Sequence, residues 1–204
     1  MRDGEGLDAF AARVVVDAES TRDTAAEFGT DFHLGAERIA SGASPLSDEP
    51  LWPWLTLYRL WMNDRVKRVH WTERRLVNLR GGYAGTADLL IDHCEHGLCM
   101  VDLKTQGVKP GDKARAYSSW GYQLAAYRAA LLSGKDESRL QIGAPVQCLN
   151  LIVNSKTPGE PVEHLWTEDE MVSGLVAFNA LAEVWSIERK YQPQAAGGRL
   201  EATG

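Results

Sequence analysis

Two acidic side chains form the part of this sequence best suited to chemistry. Asp88 precedes and Asp102 follows a short polar segment, residues 93–97, which predicts a hairpin turn. With the turn centred on Glu95, the two acids stand opposite each other on paired strands, where Cβ atoms lie about 4.5–5.5 Å apart. Two carboxylates at that range repel by about 3 kcal/mol at an effective dielectric near 20, so a divalent cation between them would turn this cost into a binding site.

A lysine joins the two acids. Lys104 follows Asp102 by two residues, so the period of a strand projects both side chains from the same face. Carboxylate oxygens favour Mg²⁺ or Mn²⁺, and we expect one of these ions as the cofactor. A metal ion that acidifies water, beside an ammonium that stabilises phosphate charge, is suited to hydrolysis of a phosphodiester bond.

A third acid is an auxiliary candidate for the metal. If Gly81-Gly82 is a two-residue hairpin turn, Arg75 faces Asp88 and Glu73 lies diagonal to it. A slip of one residue in this pairing would remove Glu73 from that face.

Around these residues the periodicity predicts an α/β domain with a mixed central β-sheet, in which a three-stranded antiparallel meander and a further strand are flanked by helices. A capping box at Thr24 predicts a helix that begins there and ends at Gly42, and Pro53 opens a second helix. Another capping box at Thr167 begins a long last helix. The predicted strands span 72–80, 83–92, 98–105 and 146–153, and a helix over 120–132 ends at Gly134.

Four short motifs occur in a suggestive order. They are Gly29-Thr-Asp-Phe-His33 on the first helix, Gly85-Thr-Ala-Asp88, Asp102-Leu-Lys104, and Gln123-Leu-Ala-Ala-Tyr127. Together they resemble the PD-(D/E)XK nuclease superfamily, and within it the RecB-like branch that includes phage exonucleases. The resemblance covers roughly residues 24–153 and implies a restriction-endonuclease-like core.

The resemblance also implies roles for individual residues. His33, Asp88 and Asp102 would be metal ligands, with the backbone carbonyl of Leu103 as a further one. Lys104 would orient or activate the attacking water, and Gln123 and Tyr127 would lie beside it. The products would carry a 5′-phosphate. Some members of the branch hold an iron–sulfur cluster with four cysteines, whereas this chain has three, so no such cluster is expected.

Charge is unevenly distributed along the chain. The net charge is −6, yet residues 59–80 carry seven bases against two acids, and a second basic stretch follows Lys104. Local charge matters more than the total for a polyanionic partner, because salt screens interactions beyond roughly 8–10 Å. We therefore expect DNA contacts from these two stretches, at Arg65, Lys67, Arg68, Arg74, Arg75, Lys109, Lys113 and Arg115.

Length and composition limit the number of domains and the class of protein. With 204 residues, 44% of them hydrophobic, one domain over 24–190 is expected, after an arm or helix over 1–23 and before a flexible tail over 191–204. No uncharged apolar run reaches 18 residues, the first residues are acidic, and three cysteines cannot pair completely. We expect a cytoplasmic protein with no membrane partner.

The function predicted is a metal-dependent deoxyribonuclease, most simply an exonuclease in phage recombination, DNA repair or defence. A recombination or repair protein could be its partner, and an oligomer is compatible with the sequence. The alternative is a DNA-end-binding subunit without turnover, which would be expected to lose one of Asp88, Asp102 and Lys104. A third interpretation is a zinc-stabilised interaction protein that uses His93, Cys94, His96 and Cys99.

Overall fold

The candidate residues lie on a five-stranded mixed sheet with helices on both faces. The computed structural model describes residues 5–133 and 145–191. The predicted helix end at Gly134 and residues 192–204 of the predicted tail lie outside this range. In chain order the elements are α1 (Leu7–Ala40), α2 (Trp52–Arg65), β1 (Val66–Asn78), β2 (Tyr83–His93), β3 (Gly97–Gln106), α3 (Ser118–Ser133), β4 (Gln147–Asn154), β5 (Val162–Trp166) and α4 (Glu168–Arg189).

The strands lie side by side in chain order. β1, β2 and β3 form the predicted antiparallel meander, β4 is parallel to β3, and β5 is antiparallel to β4. The mixed character of the sheet was expected, but the edge strand β5 was not. Of its five residues only Trp166 is buried, and a glutamate and a histidine interrupt any apolar run.

Each face of the sheet has its own hydrophobic core. α1 and α2 cover Val101, Leu103 and their neighbours on one face, while α3 and α4 cover Met100, Leu90 and Cys148 on the other. Alternate residues of β3 therefore enter opposite cores, as strand geometry requires. Both Asp102 and the central strands around it are shielded from solvent by this double layer.

Two helix starts test the capping boxes read from the sequence. Thr167 confirms its prediction, since its hydroxyl accepts the Glu170 N–H and the Glu170 carboxylate accepts the Thr167 N–H at 2.8 Å. The start predicted at Thr24 is wrong, because α1 begins at Leu7 and the Thr24 hydroxyl donates to the Ser20 carbonyl inside the helix. The preceding residues are themselves helix formers, so Thr24 has no unpaired backbone N–H groups to cap.

The turn between β1 and β2 also differs from the expectation. Asn78 pairs with Tyr83, so the turn contains four residues rather than two. The Asn78 side chain accepts the Gly81 N–H at 2.9 Å, and its carbonyl accepts the Gly82 N–H at 2.8 Å. Gly82 has a φ of 67°, which suits glycine. As a result Arg75 faces Thr86, and the predicted pairing of Arg75 with Asp88 is wrong.

Candidate active site

The site begins where β2 and β3 separate. Their backbone pairing follows the predicted register and ends at Leu89 and Val101. One residue further, the Asp88 carboxylate accepts the N–H of Leu103 at 2.6 Å, in place of a backbone partner. Asp88 is only 9% exposed, so its charge lies in a poorly solvated position at the opening between the strands.

Three side chains converge at this opening and form what we term the first histidine–carboxylate group: His33, Glu73 and Asp88. One potential ligand atom from each lies within 4.8 Å of the others. Nδ1 of His33 is 3.8 Å from the Asp88 carboxylate. The sequence analysis treated Glu73 only as an auxiliary candidate.

Glu73 reaches this position because of the true β1–β2 register. Its neighbours Thr72 and Arg74 pair with Leu89 and Ala87, which places Glu73 level with Asp88. Its backbone has a φ of 45°, in the left-handed region that non-glycine residues seldom adopt. This local departure from regular strand geometry occurs at a residue of the group, a common property of functional positions.

Asp102 lies next to the first group but has different contacts. Its carboxylate oxygens are 2.9 and 3.0 Å from Nζ of Lys104, and the lysine also donates to Oε1 of Gln123 at 2.8 Å. Gln123 in turn donates to the Tyr127 hydroxyl at 3.0 Å. The structure thus brings together the predicted set of Asp102, Lys104, Gln123 and Tyr127 as one hydrogen-bonded chain between β3 and α3.

Two residues that the sequence analysis missed hold Asp102 from behind. The Asn150 side chain donates to Oδ2 of Asp102 at 2.6 Å, and it accepts the indole N–H of Trp166 at 2.7 Å. Asn150 is completely buried and pairs with Asp102 across the parallel β3–β4 ladder. Asn150 is the only polar residue in the run of six residues from Cys148 to Val153, and this was the available signal.

Burial makes the two aspartates weaker acids than usual. Desolvation raises the pKa of both Asp88 and Asp102 to about 6, against the lowering effect of Lys104 on each. Burial also raises the pKa of Glu73 and lowers that of His33. These shifts penalise the ionised carboxylates, so a bound cation at this opening would be favoured by the charge it neutralises.

Two glycines explain how helices approach the site so closely. A Cβ on Gly85 would lie 2.5 Å from the ring of Tyr127, so only glycine allows this ring to rest on β2. A Cβ on Gly29 would lie 3.3 Å from Oγ1 of Thr105, at the crossing of α1 over the end of β3. The glycines of the Gly29…His33 and Gly85…Asp88 motifs therefore bring α1 and α3 to opposite sides of the same opening.

The predicted DNA-contacting residues fall into separate places. Arg74 and Arg75 directly follow Glu73 on β1, and the loop that carries Lys109, Lys113 and Arg115 follows β3. This loop is held at Gln106, whose side chain bonds both backbone groups of Arg115 at 3.0 Å. Arg65, Lys67 and Arg68 are not brought to the site; they lie near the β2–β3 turn, where Arg65 pairs with Glu95 and Lys67 donates to the Cys94 carbonyl.

A second histidine–carboxylate group, formed by His93, His96 and Glu163, lies near that turn. Its potential ligand atoms also fall within 4.8 Å of one another. Nδ1 of His93 accepts the N–H groups of Glu95 and His96 at 3.2 and 3.3 Å, so the imidazole proton sits on Nε2, 3.3 Å from the Glu163 carboxylate. The same carboxylate oxygen accepts the Trp61 indole N–H at 2.6 Å.

The second group does not match the zinc cluster considered from the sequence. Cys99 is completely buried in the core under α1 and α2, and burial raises the pKa of its thiol to about 12. Among the described residues, no cysteine sulfur joins the grouped ligand atoms of His93, His96 and Glu163, so the predicted cluster is not brought together. Because Nε2 of His93 holds a proton, this nitrogen is not available to a metal either. Within residues 5–133 and 145–191, the group therefore joins β5 to the β2–β3 turn by hydrogen bonds.

Comparisons with known proteins add a structural resemblance. No protein-family model matches the chain. No curated protein matches it in sequence. Among solved structures, the chain is similar to a protein from Eubacterium rectale provisionally named an exonuclease, at 11% identity and a TM-score of 0.46 over 85% of this chain and 71% of that one.

No helix in the described part of the chain is long and apolar enough to cross a membrane.

Proposed function

We propose that this chain is a metal-dependent deoxyribonuclease, an exonuclease that hydrolyses phosphodiester bonds of DNA. The observation on which the proposal depends is the position of the first histidine–carboxylate group next to the Asp102–Lys104 pair. One part offers imidazole and carboxylate ligands for a hard divalent cation, and the other offers a fixed ammonium. Phosphodiester hydrolysis needs both kinds of group.

The donor set fits Mg²⁺ or Mn²⁺. His33, Glu73 and Asp88 would hold the ion, and the Leu103 carbonyl and Asp102 stay as further predicted ligands. Both carboxylate oxygens of Asp102 already contact Nζ of Lys104. We therefore propose that the main role of Asp102 is to position that lysine. A divalent cation held there would supply Lewis acidity toward a phosphate oxygen and would lower the pKa of water.

The chain's own groups supply the rest of the chemistry. Lys104 is held by Asp102 and Gln123, so its ammonium is oriented before substrate arrives. From that position it would hydrogen-bond the attacking water and stabilise negative charge on the phosphate. The water oxygen bonds to phosphorus and gives up one proton to solvent, the bond from phosphorus to the leaving ester oxygen breaks, and that oxygen takes up a proton from solvent. Tyr127 fixes Gln123 and thereby the lysine.

The duplex or strand would be held by cations on both sides of the opening. Arg74 and Arg75 next to Glu73, and Lys109, Lys113 and Arg115 after β3, are the proposed phosphate contacts. Arg65, Lys67 and Arg68 would contact only a longer DNA that extends toward the β2–β3 turn. Cytoplasmic action in recombination, repair or defence, with or without a partner protein, remains a prediction from the sequence.

The proposal is tested by digestion of end-labelled linear DNA and closed circular DNA with Mg²⁺, with Mn²⁺ and with EDTA. We expect the linear DNA to be shortened from its ends only with a divalent cation, while the circle stays intact. Asp92→Asn is a matched control, since Asp92 lies on the same strand but pairs with His70. Binding of DNA ends without cleavage under every metal condition would instead favour the non-catalytic alternative.

A further inference from the structure

A groove opens beside Lys104, and apart from Lys104 and Gln123 its lining residues have no part in the proposed catalysis. It lies between α3, the second half of α4 and the β1–β2 turn, with a volume of about 1010 Å³. This volume is at the upper end of the range for ligand pockets. Lys104 and Gln123 line its inner end, so the groove is continuous with the candidate active site.

The groove exists because α4 extends beyond the beginning of α3. The two helices cross closely at Gly121 and Gly174, where a Cβ on Gly174 would lie 3.3 Å from the Gly121 carbonyl oxygen. Arg128 and Glu168 form an ion pair on one side of this crossing. On the other side, α4 continues past the first turn of α3 and is supported by the contact of Phe178 with Tyr83, whose ring centroids are 4.8 Å apart.

Aromatic rings dominate the lining of the groove. Six of them contribute: Tyr83, Trp120, Tyr122, Phe178, Trp185 and Tyr191. Trp185 and Tyr191 are 51% and 45% exposed, although such large rings are usually covered in a folded chain. Leu181 and Ala182 of α4 also line it, whereas the exposed aliphatic residues Val172, Val176 and Ile187 of the same helix do not. A packed protein segment would favour an aliphatic surface, whereas flat rings suit stacking with planar groups.

A cation at one end of the groove suits an anion. Lys104 lines the groove together with Ser119 of the first turn of α3, whose backbone N–H groups carry partial positive charge. Glu183 is the one acidic residue among the described lining residues, and it belongs to α4. A row of rings that leads to a cation suits the bases and phosphates of a nucleic-acid strand.

We propose that the groove between α3 and α4 binds unpaired nucleotides of a single-stranded DNA end, with bases stacked on its aromatic rings and phosphates directed toward Lys104. The choice of DNA as the occupant rests on the proposed nuclease function. Inside a duplex, both faces of each base are already stacked, so a row of rings can take up successive bases only where they are unpaired. The groove thus selects single-stranded ends as the substrate.

The test measures binding in EDTA, without cleavage. The probes are a labelled oligo(dT), an abasic oligomer of equal length and a blunt duplex. We expect Trp185→Ala to weaken oligo(dT) binding between about 5-fold and about 100-fold, the range for loss of one stacked base. The abasic oligomer should bind the unchanged protein and Trp185→Ala equally. Trp185→Phe should restore most of the affinity.

A matched control is available at Trp52, a tryptophan on α2 that is 41% exposed and does not line the groove. Trp52→Ala should leave oligo(dT) binding unchanged. Equal binding of oligo(dT) by the unchanged protein and by Trp185→Ala would overturn the proposal. So would dissociation of a dimer by Trp185→Ala in sedimentation, since a second copy would then fill the groove.

The experiments distinguish an error in the groove proposal from an error in the nuclease proposal. If only the groove proposal is wrong, Mg²⁺-dependent cleavage persists in Trp185→Ala with the KM for single-stranded DNA unchanged. If only the catalytic proposal is wrong, Trp185→Ala still weakens oligo(dT) binding, although no metal supports cleavage.

Discussion

The two histidine–carboxylate groups contain similar side chains at similar separations, yet their hydrogen bonds differ. In the second group, both ring nitrogens of His93 have partners, and Glu163 accepts from Trp61 and His93. In the first group, the Asp88 carboxylate has one backbone donor, and its pKa is raised because burial leaves its charge poorly compensated. Proximity of ligand atoms is thus not sufficient for a metal site, since the donors must also be free of competing protons.

The largest difference expected between the two groups is the effect of losing a carboxylate on the rate of DNA cleavage. Asp88→Asn keeps an acceptor for the Leu103 N–H but removes the charge, so we expect cleavage to fall about 1,000-fold, as for loss of one strong electrostatic group. Glu163→Gln is the matched substitution in the second group and should leave the rate unchanged. The measurement is initial rates of DNA cleavage with Mg²⁺. An equal loss in both variants would contradict the distinction.

The next largest difference is expected in metal affinity, when a histidine of each group is replaced. His33→Gln removes an imidazole ligand, and we expect Mn²⁺ binding to weaken between about 10-fold and about 100-fold, comparable with the loss of a supporting residue at known metal sites. His96→Gln should bind Mn²⁺ like the unchanged protein. Calorimetric titration of both variants checks this, and weaker binding in His96→Gln would place the ion in the second group.

The pH dependence of metal binding follows from the aspartates. Burial raises the pKa of Asp88 to about 6, so below that pH the carboxyl holds a proton that the cation must displace. We expect Mn²⁺ affinity to fall about 10-fold between pH 7.5 and pH 5, at one pH unit below the pKa. Burial lowers the pKa of His33, so its protonation competes with the metal less than that of a solvated imidazole. A midpoint near pH 4 would show that the carboxyls are well solvated.

The smallest difference is expected in the free energy of unfolding. Removing the charge of one carboxylate should raise it in the first group and lower it in the second. Because the folded pKa of Asp88 is above its unfolded value, ionisation costs stability as pH rises through the interval from about 4 to about 6. Asp88→Asn should therefore stabilise the metal-free protein at pH 8 by about 3 kcal/mol. Glu163→Gln loses charge-assisted hydrogen bonds and should cost about 1–2 kcal/mol. Urea unfolding in EDTA measures both changes.

The sequence predicted the pairing of β2 with β3 because a short turn centred on Glu95 leaves one plausible register. It misjudged the β1–β2 turn, since the side-chain hydrogen bonds of Asn78 add two residues to it. The error shifted the partner of Glu73 by two residues, which conserves the face of a strand. Glu73 therefore stayed on the expected side and moved from a diagonal position to one level with Asp88.

The missed residues depended on contacts between distant segments. Asn150 contacts Asp102 only because β4 lies parallel to β3 in one particular register, and Trp166 reaches it from an edge strand with no strong pattern. No local periodicity contains that information. The capping box at Thr24 failed for the opposite reason, since a valid local signal lost its meaning within a longer helix.

The chain of contacts from Trp166 through Asn150 to Asp102 also has a spectroscopic consequence. The indole N–H proton of Trp166 is separated from the Asp102 carboxylate by a single amide side chain. A change of charge at Asp102 polarises that amide and shifts the indole resonance, which nuclear magnetic resonance can follow at a buried tryptophan without any added label. The edge strand thereby gives the candidate active site an internal reporter in the core under α3 and α4.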